Sequence, residues 1–400
     1  MNENKYDYLI VGAGIIGLTI AKEIKKRFPL SKIGILEKES KEAQHSSGRN
    51  SGVLHAGFYY TADSLKAKFT RDGNFLMKEF CKENKLKINH SQKVVVAKNN
   101  EEVKTIHKLY ERGIQNKVNV EIISKKRLKE LDPNIKTHNI ALFSPDTSTI
   151  DPEEVCAFLK NFLIEKGVDF YFNEGYKENL NNNSILSSKN KIFKFEKLIN
   201  TAGLYADKIA KDFAFSKDYT IIPFKGIYLK YTGIKKPVNI NVYPVPNLNN
   251  PFLGVHFTIT VNGEVIIGPT SIPAFWRENY SGMDNFNLSE LINVLGWEVN
   301  LFLNNEFNFR TLAFQEIKKY NKNHFTNLAS SMLYNFDKKS FSEWIRPGIR
   351  AQLLNKKTKE LVMDFVVEGD ANTIHILNAV SPAFTCSIPF AKYVVDNYII

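Results

Sequence analysis

A short apolar segment followed at once by a glycine motif constrains this chain more than any other feature. Residues Tyr6 to Val11 read as a buried strand, and the motif GAGIIG occupies Gly12–Gly17. Helical periodicity comes next, and a second strand is predicted over Lys32–Leu36. Glu37 follows that strand and stands 20 residues after Gly17. Strand, glycines, helix, strand and acid therefore occur in the order and at the spacing of a dinucleotide-binding unit.

Each part of this motif has a physical role. Gly12 permits a tight turn, Gly14 lets the backbone approach a pyrophosphate, and Gly17 lets the helix pack closely on the strand. The helix amino terminus offers free N–H groups to phosphate oxygens, and Glu37 can accept hydrogen bonds from a ribose. The motif predicts the following cofactor contacts: Gly12, Gly14, Ile15, Ile16, Gly17, Glu37 and Lys38.

The cofactor is predicted to be FAD rather than NAD. The motif begins within a dozen residues of the first, and the sequence has no second GxGxxG, which a flavin reductase fed by NAD(P)H would usually need. A long polar, glycine-containing loop, Lys38–Thr61, can run beneath a large cofactor. A short strand further on, Leu198–Gly203, ends in small residues that allow close backbone approach. The expected contacts in these two segments are Ser46, Ser47, Arg49, Asn50, Ser51, Ala202 and Gly203.

Length and composition bound the class of protein. A chain of 400 residues predicts two to three structural units, and 43% hydrophobic residues are enough for full cores. The three cysteines are far apart and form no CxxC pair, so we expect no disulfide framework, no metal site and a reducing compartment. No apolar run reaches the ~18 residues of a membrane span, and none is typical of a signal peptide. These features predict a cytoplasmic protein, and the net charge of +12 suits an acidic metabolite, RNA or an anionic membrane surface.

A longer motif narrows the family. The stretch HSSGRNSGVLHAGFYY, residues 45–60, closely resembles the FAD-dependent L-2-hydroxyglutarate dehydrogenase/oxidase family. Further matching stretches follow in the same order at residues 200–207, 243–246 with 251–257, 348–352 and 378–385. The wider class is that of the D-amino-acid-oxidase-like flavoproteins. The similarity runs nearly end to end.

The resemblance implies an α/β fold in two parts. A Rossmann-like, discontinuous FAD-binding domain is expected at 1–90, 150–215 and 345–400, with an α+β substrate-binding domain inserted at 91–149 and 216–344. The sequence supports an antiparallel sheet in the inserted part, because residues 220–268 alternate β-branched and aromatic residues between Pro and Gly positions.

The implied reaction is oxidation of L-2-hydroxyglutarate, or of a close 2-hydroxy acid, to the 2-oxo acid. Such a reaction needs a group that holds the carboxylate and a base that takes the hydroxyl proton. Arg350, in a Gly-x-Arg stretch, is the expected carboxylate ligand because guanidinium offers a bidentate fork. His55 and His256 are both candidates for the base, since histidine titrates near neutrality. Tyr59 and Tyr60 are expected to line the substrate pocket.

The segment before the last helix completes the expected flavin contacts. Pro382, Ala383 and Thr385 lie in the matched SPAFT stretch, and N–H groups there would face the pyrimidine edge of the flavin. Thr385 is expected to be both a flavin contact and the cap of the terminal helix.

Several departures from the family pattern leave the substrate open. Lys225, Ile227, Val380, Phe384 and Cys386 stand where the family usually has other residues. The alternatives are a flavoenzyme like glycerol-3-phosphate dehydrogenase, one like an amino-acid oxidase, and a tRNA-modifying flavoprotein, although no RNA-binding module is recognisable. The electron acceptor is oxygen, a quinone or a carrier protein, and a quinone would require peripheral contact with the inner face of a membrane.

Overall fold

The computed structural model describes residues 4–181, 183–248 and 252–400. Its strands are β1 (Asn4–Val11), β2 (Ile33–Glu37), β3 (Val53–Leu54), β4 (Ile88–Asn89), β5 (Lys93–Val96), β6 (Glu121–Ser124), β7 (Ile140–Ser144), β8 (Ser148–Ile150), β9 (Asp169–Phe172), β10 (Tyr176–Asn181), β11 (Ser184–Ser187), β12 (Ile192–Asn200), β13 (Tyr219–Tyr231), β14 (Asn241–Pro244), β15 (His256–Ile259), β16 (Val265–Gly268), β17 (Ile272–Pro273), β18 (Phe341–Asn355), β19 (Val366–Gly369) and β20 (Thr373–Asn378). Its α-helices are α1 (Ile15–Arg27), α2 (Leu65–Glu83), α3 (Asn100–Gln115), α4 (Lys125–Leu131), α5 (Pro152–Glu165), α6 (Ala206–Asp212), α7 (Leu288–Asn304), α8 (Phe309–Ile317), α9 (Lys322–Ser330) and α10 (Ala383–Tyr398).

The first compact unit comprises residues 1–50, 152–223 and 350–400. Its sheet has the order β10-β11-β12-β1-β2-β9, and β20 adds to β12 beside β19. The central pairs of β1 with β12, β1 with β2 and β2 with β9 are parallel. Strands β1 and β2 are rich in aliphatic residues and largely buried, as expected where helices cover a parallel sheet.

The opening helix of this unit is fixed by its neighbours. Helix α1 packs against α5 and α10 and buries Ile16, Leu18, Ile20 and Ile24. Helix α10 begins at Ala383, so Thr385 lies inside its first turn and the prediction that Thr385 caps the helix is wrong. The local sequence Ser-Pro-Ala explains the difference, because a proline favours the position just before or at a helix start.

The second compact unit comprises residues 51–151 and 224–349. Its large sheet has the order β17-β13-β16-β15-β14-β5-β7-β6, with β18 beside β13, and a small antiparallel sheet has the order β3-β8-β4. One core lies between the large sheet and α9, and includes Val94, Leu229, Phe257, Phe325 and Phe341. The sheet is mixed rather than wholly antiparallel, because β5 and β14 run parallel.

The compact units differ from the expected domain ranges mainly in one long segment, and also at residues 150–151, 216–223 and 345–349. Residues 51–90, expected in the FAD-binding domain, fall in the second unit. Strands β3 and β4 both pair with β8, and Asn74 of α2 donates hydrogen bonds to the carbonyl oxygens of Leu54 and Asp146. These long-range pairings tie the segment to residues near 150 of the second unit.

Candidate functional site

The glycine turn of the first unit leaves no room for side chains. Gly12 has a φ of +107°, and a Cβ there would lie 2.7 Å from the carbonyl oxygen of Thr201. A Cβ on Gly17 would collide with the carbonyl oxygen of Gly12. A Cβ on Gly14 would come within 3.0 Å of the Ser47 hydroxyl. The three glycines are therefore required by the close packing of the turn against Thr201, Ser47 and its own backbone.

Glu37 stabilises this glycine turn through two hydrogen bonds. One of its carboxylate oxygens accepts a hydrogen bond from the Ala13 N–H at 2.8 Å, and the other accepts from the Glu39 N–H at 3.0 Å. Burial raises the pKa of the Glu37 carboxyl, and the two backbone donors partly oppose that rise. Carboxylate oxygens keep further lone pairs beyond these two bonds, so Glu37 also retains the capacity to accept from a ribose hydroxyl.

The amino terminus of α1 fits a phosphate group. Its cap is Gly14, which has no side chain, and its first turn carries no acidic residue. The Ile15 N–H donates to the Ser47 hydroxyl at 2.9 Å, which places a polar loop residue at the helix end. A positive helix end, bare glycines and a hydroxyl together form the donor set expected for a pyrophosphate.

The loop after β2 is held in place by its own polar side chains. Arg49 Nε donates to the Gln44 carbonyl at 2.6 Å, and Asn50 Nδ2 donates to the carbonyls of Ser46 and Ser47 at 3.0 and 2.8 Å. The Lys38 ammonium pairs with Glu39 at 2.5 Å. The structure thus brings the predicted contacts of this loop, except Ser51, together with the glycine turn in the first unit.

Thr201 is a residue of this region that the sequence reasoning missed. Its hydroxyl contacts the carbonyl oxygens of Val11 and Gly12 at 2.9 and 3.1 Å, so it ties the end of β12 to the glycine turn. Ala202 and Gly203 follow it directly, and a Cβ on Gly203 would meet nothing within 4 Å. In the sequence, the signal for this role was a threonine placed between the end of a strand and two small residues.

The remaining predicted residues of the first unit lie on β18 and α10. Arg350 is half-buried on β18. Pro382 and Ala383 form the start of α10, and Thr385 is buried in its first turn.

His256 is the most constrained candidate base, and it lies in the second unit. It opens β15 and is 4% exposed. Its ring stacks on that of Tyr243 from β14, with centroids 3.7 Å apart. His256 Nδ1 lies 2.9 Å from the Gly254 carbonyl oxygen, and a carbonyl only accepts, so Nδ1 carries the proton of this bond. In the neutral ring Nε2 is then the basic nitrogen.

The segment that carries His55 also lies in the second unit. His55 follows β3 and is half-buried, Tyr60 is half-buried, and Tyr59 is buried. Arg112 Nη1 donates to the Tyr59 carbonyl at 3.0 Å, and Asn116 Nδ2 donates to the Tyr60 carbonyl at 2.9 Å. Helix α3 therefore fixes the backbone of this segment.

Comparison with known proteins gives the family. The family model for the FAD-dependent oxidoreductase (DAO) domain matches residues 7–397. L-2-hydroxyglutarate dehydrogenase of Indibacter alkaliphilus is 36% identical over 96% of both chains. The mitochondrial L-2-hydroxyglutarate dehydrogenase of Dictyostelium discoideum is 35% identical over 99% of this chain and 93% of its own. The protein of that name from Escherichia coli K12 is 33% identical, with coverages of 98% and 93%.

A solved structure supports the fold. L-α-glycerophosphate oxidase of Mycoplasma pneumoniae with FAD bound has a TM-score of 0.77 over 98% of this chain and 94% of its own, at 22% identity. The predictions of an α/β flavoprotein fold, of FAD as cofactor and of an oxidoreductase are confirmed by these matches. This chain belongs to the DAO family of FAD-dependent oxidoreductases and, within it, to the group of proteins named L-2-hydroxyglutarate dehydrogenase.

Proposed function

We propose that this protein oxidises L-2-hydroxyglutarate to the corresponding 2-oxo acid. The proposal is supported by relatives of that name that match nearly the full chain. The observation that carries it is the tautomer of His256, a buried imidazole whose Nδ1 carries the proton of its bond to a carbonyl, so that Nε2 is the basic nitrogen of the neutral ring. Bound FAD supplies the hydride acceptor for such an oxidation.

We propose the first unit as the FAD-binding domain. The glycines at 12, 14 and 17, the α1 amino terminus and Ser47 would hold the pyrophosphate, and Glu37 would accept from the ribose. The loop residues Lys38, Ser46, Arg49, Asn50 and Ser51, and the residues Ala202, Gly203, Pro382, Ala383 and Thr385, would complete the contacts.

We propose that the second unit carries the substrate-binding residues. His256 accepts the hydroxyl proton at Nε2, because its Nδ1–H is engaged by Gly254. His55 is the alternative base, and in this assignment it orients the substrate hydroxyl instead. Tyr59 and Tyr60 line the pocket from the same segment.

Arg350 of β18 is proposed as the ligand of the 2-carboxylate. A guanidinium binds a carboxylate through two parallel hydrogen bonds, which fix both the position and the plane of the acid. These two hydrogen bonds would hold the Cα–H bond of the substrate in a defined orientation for hydride transfer.

An anaerobic reduction assay tests the function. The FAD-loaded protein is mixed with L-2-hydroxyglutarate, D-2-hydroxyglutarate, glycerol 3-phosphate, glycine or L-proline, and loss of flavin absorbance is followed. We expect rapid bleaching by L-2-hydroxyglutarate and slow or no bleaching by the other compounds. Bleaching by glycerol 3-phosphate or an amino acid alone would replace the proposal with the corresponding alternative activity. A salt-dependent shift of tRNA by the protein would favour the RNA alternative.

We further propose that the second unit contacts an anionic membrane surface through α7. Four apolar side chains, Leu288, Ile292, Val299 and Leu303, are 52–66% exposed. Their spacing of four, seven and four residues places them along one face of the helix. Both acidic residues of α7, Glu290 and Glu298, are buried instead, so this face carries no negative charge.

The apolar stripe suits an interfacial helix. Met283 and Phe286 before α7, and Phe314 and Ile317 of α8, are exposed as well. Arg310 and Lys318 are exposed beside them, and the whole chain carries a net charge of +12, which complements anionic headgroups. Among the described residues, no helix has the length and apolar character needed to cross a bilayer. Membrane contact of this kind would suit a quinone as the electron acceptor.

Vesicle flotation tests this surface. We expect the protein to float with vesicles containing phosphatidylglycerol, and Ile292→Glu with Val299→Glu to abolish flotation. The matched control is Ile114→Glu, which changes an exposed isoleucine of α3. If the α7 variants instead convert a dimer to a monomer and leave flotation unchanged, the stripe is an interface between two copies and the membrane proposal fails.

A further inference from the structure

A lysine amine is enclosed within the second unit. Lys93 opens β5, its side chain is fully buried, and its Nζ has no hydrogen-bond partner in the described part of the chain. Three aromatic rings surround it: the centroid of Tyr243 lies 4.7 Å from Nζ, and those of Phe58 and Tyr59 lie 5.0 Å away. Burial of an ammonium group without a hydrogen-bond partner carries a large desolvation cost, so its presence points to a role other than packing.

The sheet places this amine one aromatic ring away from His256. Lys93 on β5, Tyr243 on β14 and His256 on β15 stand on three neighbouring strands. The registers put Asn241 opposite Lys93 and Val242 opposite Phe257, so the three side chains share one sheet face and the Tyr243 ring lies between the other two. Phe58 and Tyr59, which contact the same amine, follow His55 in the chain.

Within the described ranges, no carboxylate forms an ion pair or a hydrogen bond with this amine. The titratable groups of the described residues that act on the cluster include the phenols of Tyr59 and Tyr60 from the His55 segment, Tyr243 from β14 and Tyr228 from β13. Burial raises the pKa of Tyr59 and of Tyr243, so both phenols stay neutral over the working range. When Lys93 is protonated, its positive charge acts on the neighbouring imidazole across the ring of Tyr243.

We infer that Lys93 is a positioning residue whose positive charge, on the far side of Tyr243, keeps the His256 imidazole in its neutral, proton-accepting form. The inference rests on the proposed role of His256 as the base. A nearby cation disfavours protonation of an imidazole, because the two positive charges repel each other in a low-dielectric interior. The charge of Lys93 thus favours the neutral ring, and the hydrogen bond to Gly254 selects the tautomer of that ring.

The titration of the lysine itself fits this role. Burial lowers the pKa of Lys93 to about 7, which lies just above the ordinary value for histidine. The amine therefore gains its positive charge as the pH falls towards and below about 7, which is the range in which an ordinary histidine takes up a proton.

NMR titration of the FAD-loaded protein measures this coupling directly. The protein is labelled with ¹⁵N-histidine, and the His256 ring signals are assigned with His256→Gln. The pKa of His256 is then compared between wild type, Lys93→Met and Val94→Ala. Val94 is a fully buried neighbour on the same strand whose side chain points to the opposite sheet face, so it controls for lost packing. Lys93→Gln replaces Lys93→Met if the latter does not fold.

We expect the pKa of His256 to rise by about one unit in Lys93→Met and to stay unchanged in Val94→Ala. The acid limb of the kcat/KM profile for L-2-hydroxyglutarate should move to higher pH by the same amount. An unchanged His256 pKa in both neutral Lys93 variants would overturn the inference and leave Lys93 a packing residue. A shifted pKa in a protein that L-2-hydroxyglutarate does not reduce would support the coupling and reject the proposed substrate instead.

Discussion

The ring of Tyr243 lies nearly parallel to the imidazole of His256, with centroids 3.7 Å apart and an angle of 17° between the planes. The stack fixes the plane of the imidazole, and the Nδ1 hydrogen bond to Gly254 fixes its rotation within that plane. A base held in two ways needs little reorganisation when it receives a proton. This arrangement favours His256 over His55 as the base.

Replacement of His256 tests that assignment. His256→Gln keeps a polar side chain of similar size but offers no group that takes up a proton near neutral pH. We expect kcat for flavin reduction by L-2-hydroxyglutarate to fall about 10²–10⁴-fold, the usual contribution of a general base. The flavin absorbance spectrum should stay unchanged, because the cofactor site is formed by other residues.

The matched control is His138→Gln. His138 is an exposed histidine of the same unit whose Nε2 contacts Asn100 Oδ1 at 3.0 Å. Its replacement should leave kcat within about twofold of wild type. A loss below tenfold in His256→Gln, together with a larger loss in His55→Gln, would transfer the role of base to His55.

Cofactor binding depends on the bare glycine turn. We expect Gly17→Ala to weaken FAD binding about 10–100-fold, because the added methyl group collides with the Gly12 carbonyl and forces the turn apart. Flavin content after dialysis and fluorescence titration with FAD measure the effect. Gly296→Ala in α7 is the control, since its Cβ would meet nothing within 4 Å, and it should retain FAD and gain about 0.5–1 kcal/mol of stability. Equal flavin content in the two variants would contradict the role of the turn.

Arg350 is predicted to decide substrate affinity. Arg350→Met should lower kcat/KM for L-2-hydroxyglutarate about 100-fold or more, because the bound carboxylate loses its charged partner. Arg350→Lys should recover only part of this loss, since an ammonium lacks the bidentate fork. Arg127→Met removes an exposed arginine paired with Glu130 and should leave the kinetics unchanged. Similar kinetics in Arg350→Met and wild type would exclude Arg350 from the substrate site.

The lowered pKa of Lys93 predicts that the free energy of unfolding depends on pH. Its pKa is about 7 when folded and ~10.4 when unfolded, so the unfolded chain binds more protons between these values and the folded state gains stability as the pH rises. The slope from this group approaches about 1.4 kcal/mol per pH unit within that window and vanishes below it.

Chemical denaturation from pH 6 to pH 9 measures this slope. Lys93→Met should show no such slope. The amount by which its free energy of unfolding exceeds that of wild type should therefore become smaller as the pH increases. Lys104→Met, which replaces an exposed lysine paired with Glu101, should keep the wild-type slope. Parallel curves for wild type and Lys93→Met would show that the buried amine does not titrate in this range.

The glycine turn could be predicted from the sequence because the residues that determine its conformation lie close together in the chain. Gly12, Gly14, Gly17 and Glu37 lie within one β-α-β unit, and steric limits on the backbone fix what each glycine does. The start of α7 is likewise set by a local residue, because the Asn287 side chain accepts a hydrogen bond from the Glu290 N–H.

The cluster of Lys93, Tyr243 and His256 could not be read in this way. Its members are far apart in the chain, and they meet because β5, β14 and β15 pair in one sheet with a defined register. A lysine before three valines in the sequence does not indicate that three aromatic rings surround its amine. The place of residues 51–90 in the second unit likewise depends on the pairing of β3 and β4 with β8. Local sterics are encoded by neighbouring residues, whereas strand register and burial arise from contacts between distant ones, and here those contacts define the surroundings of the proposed base.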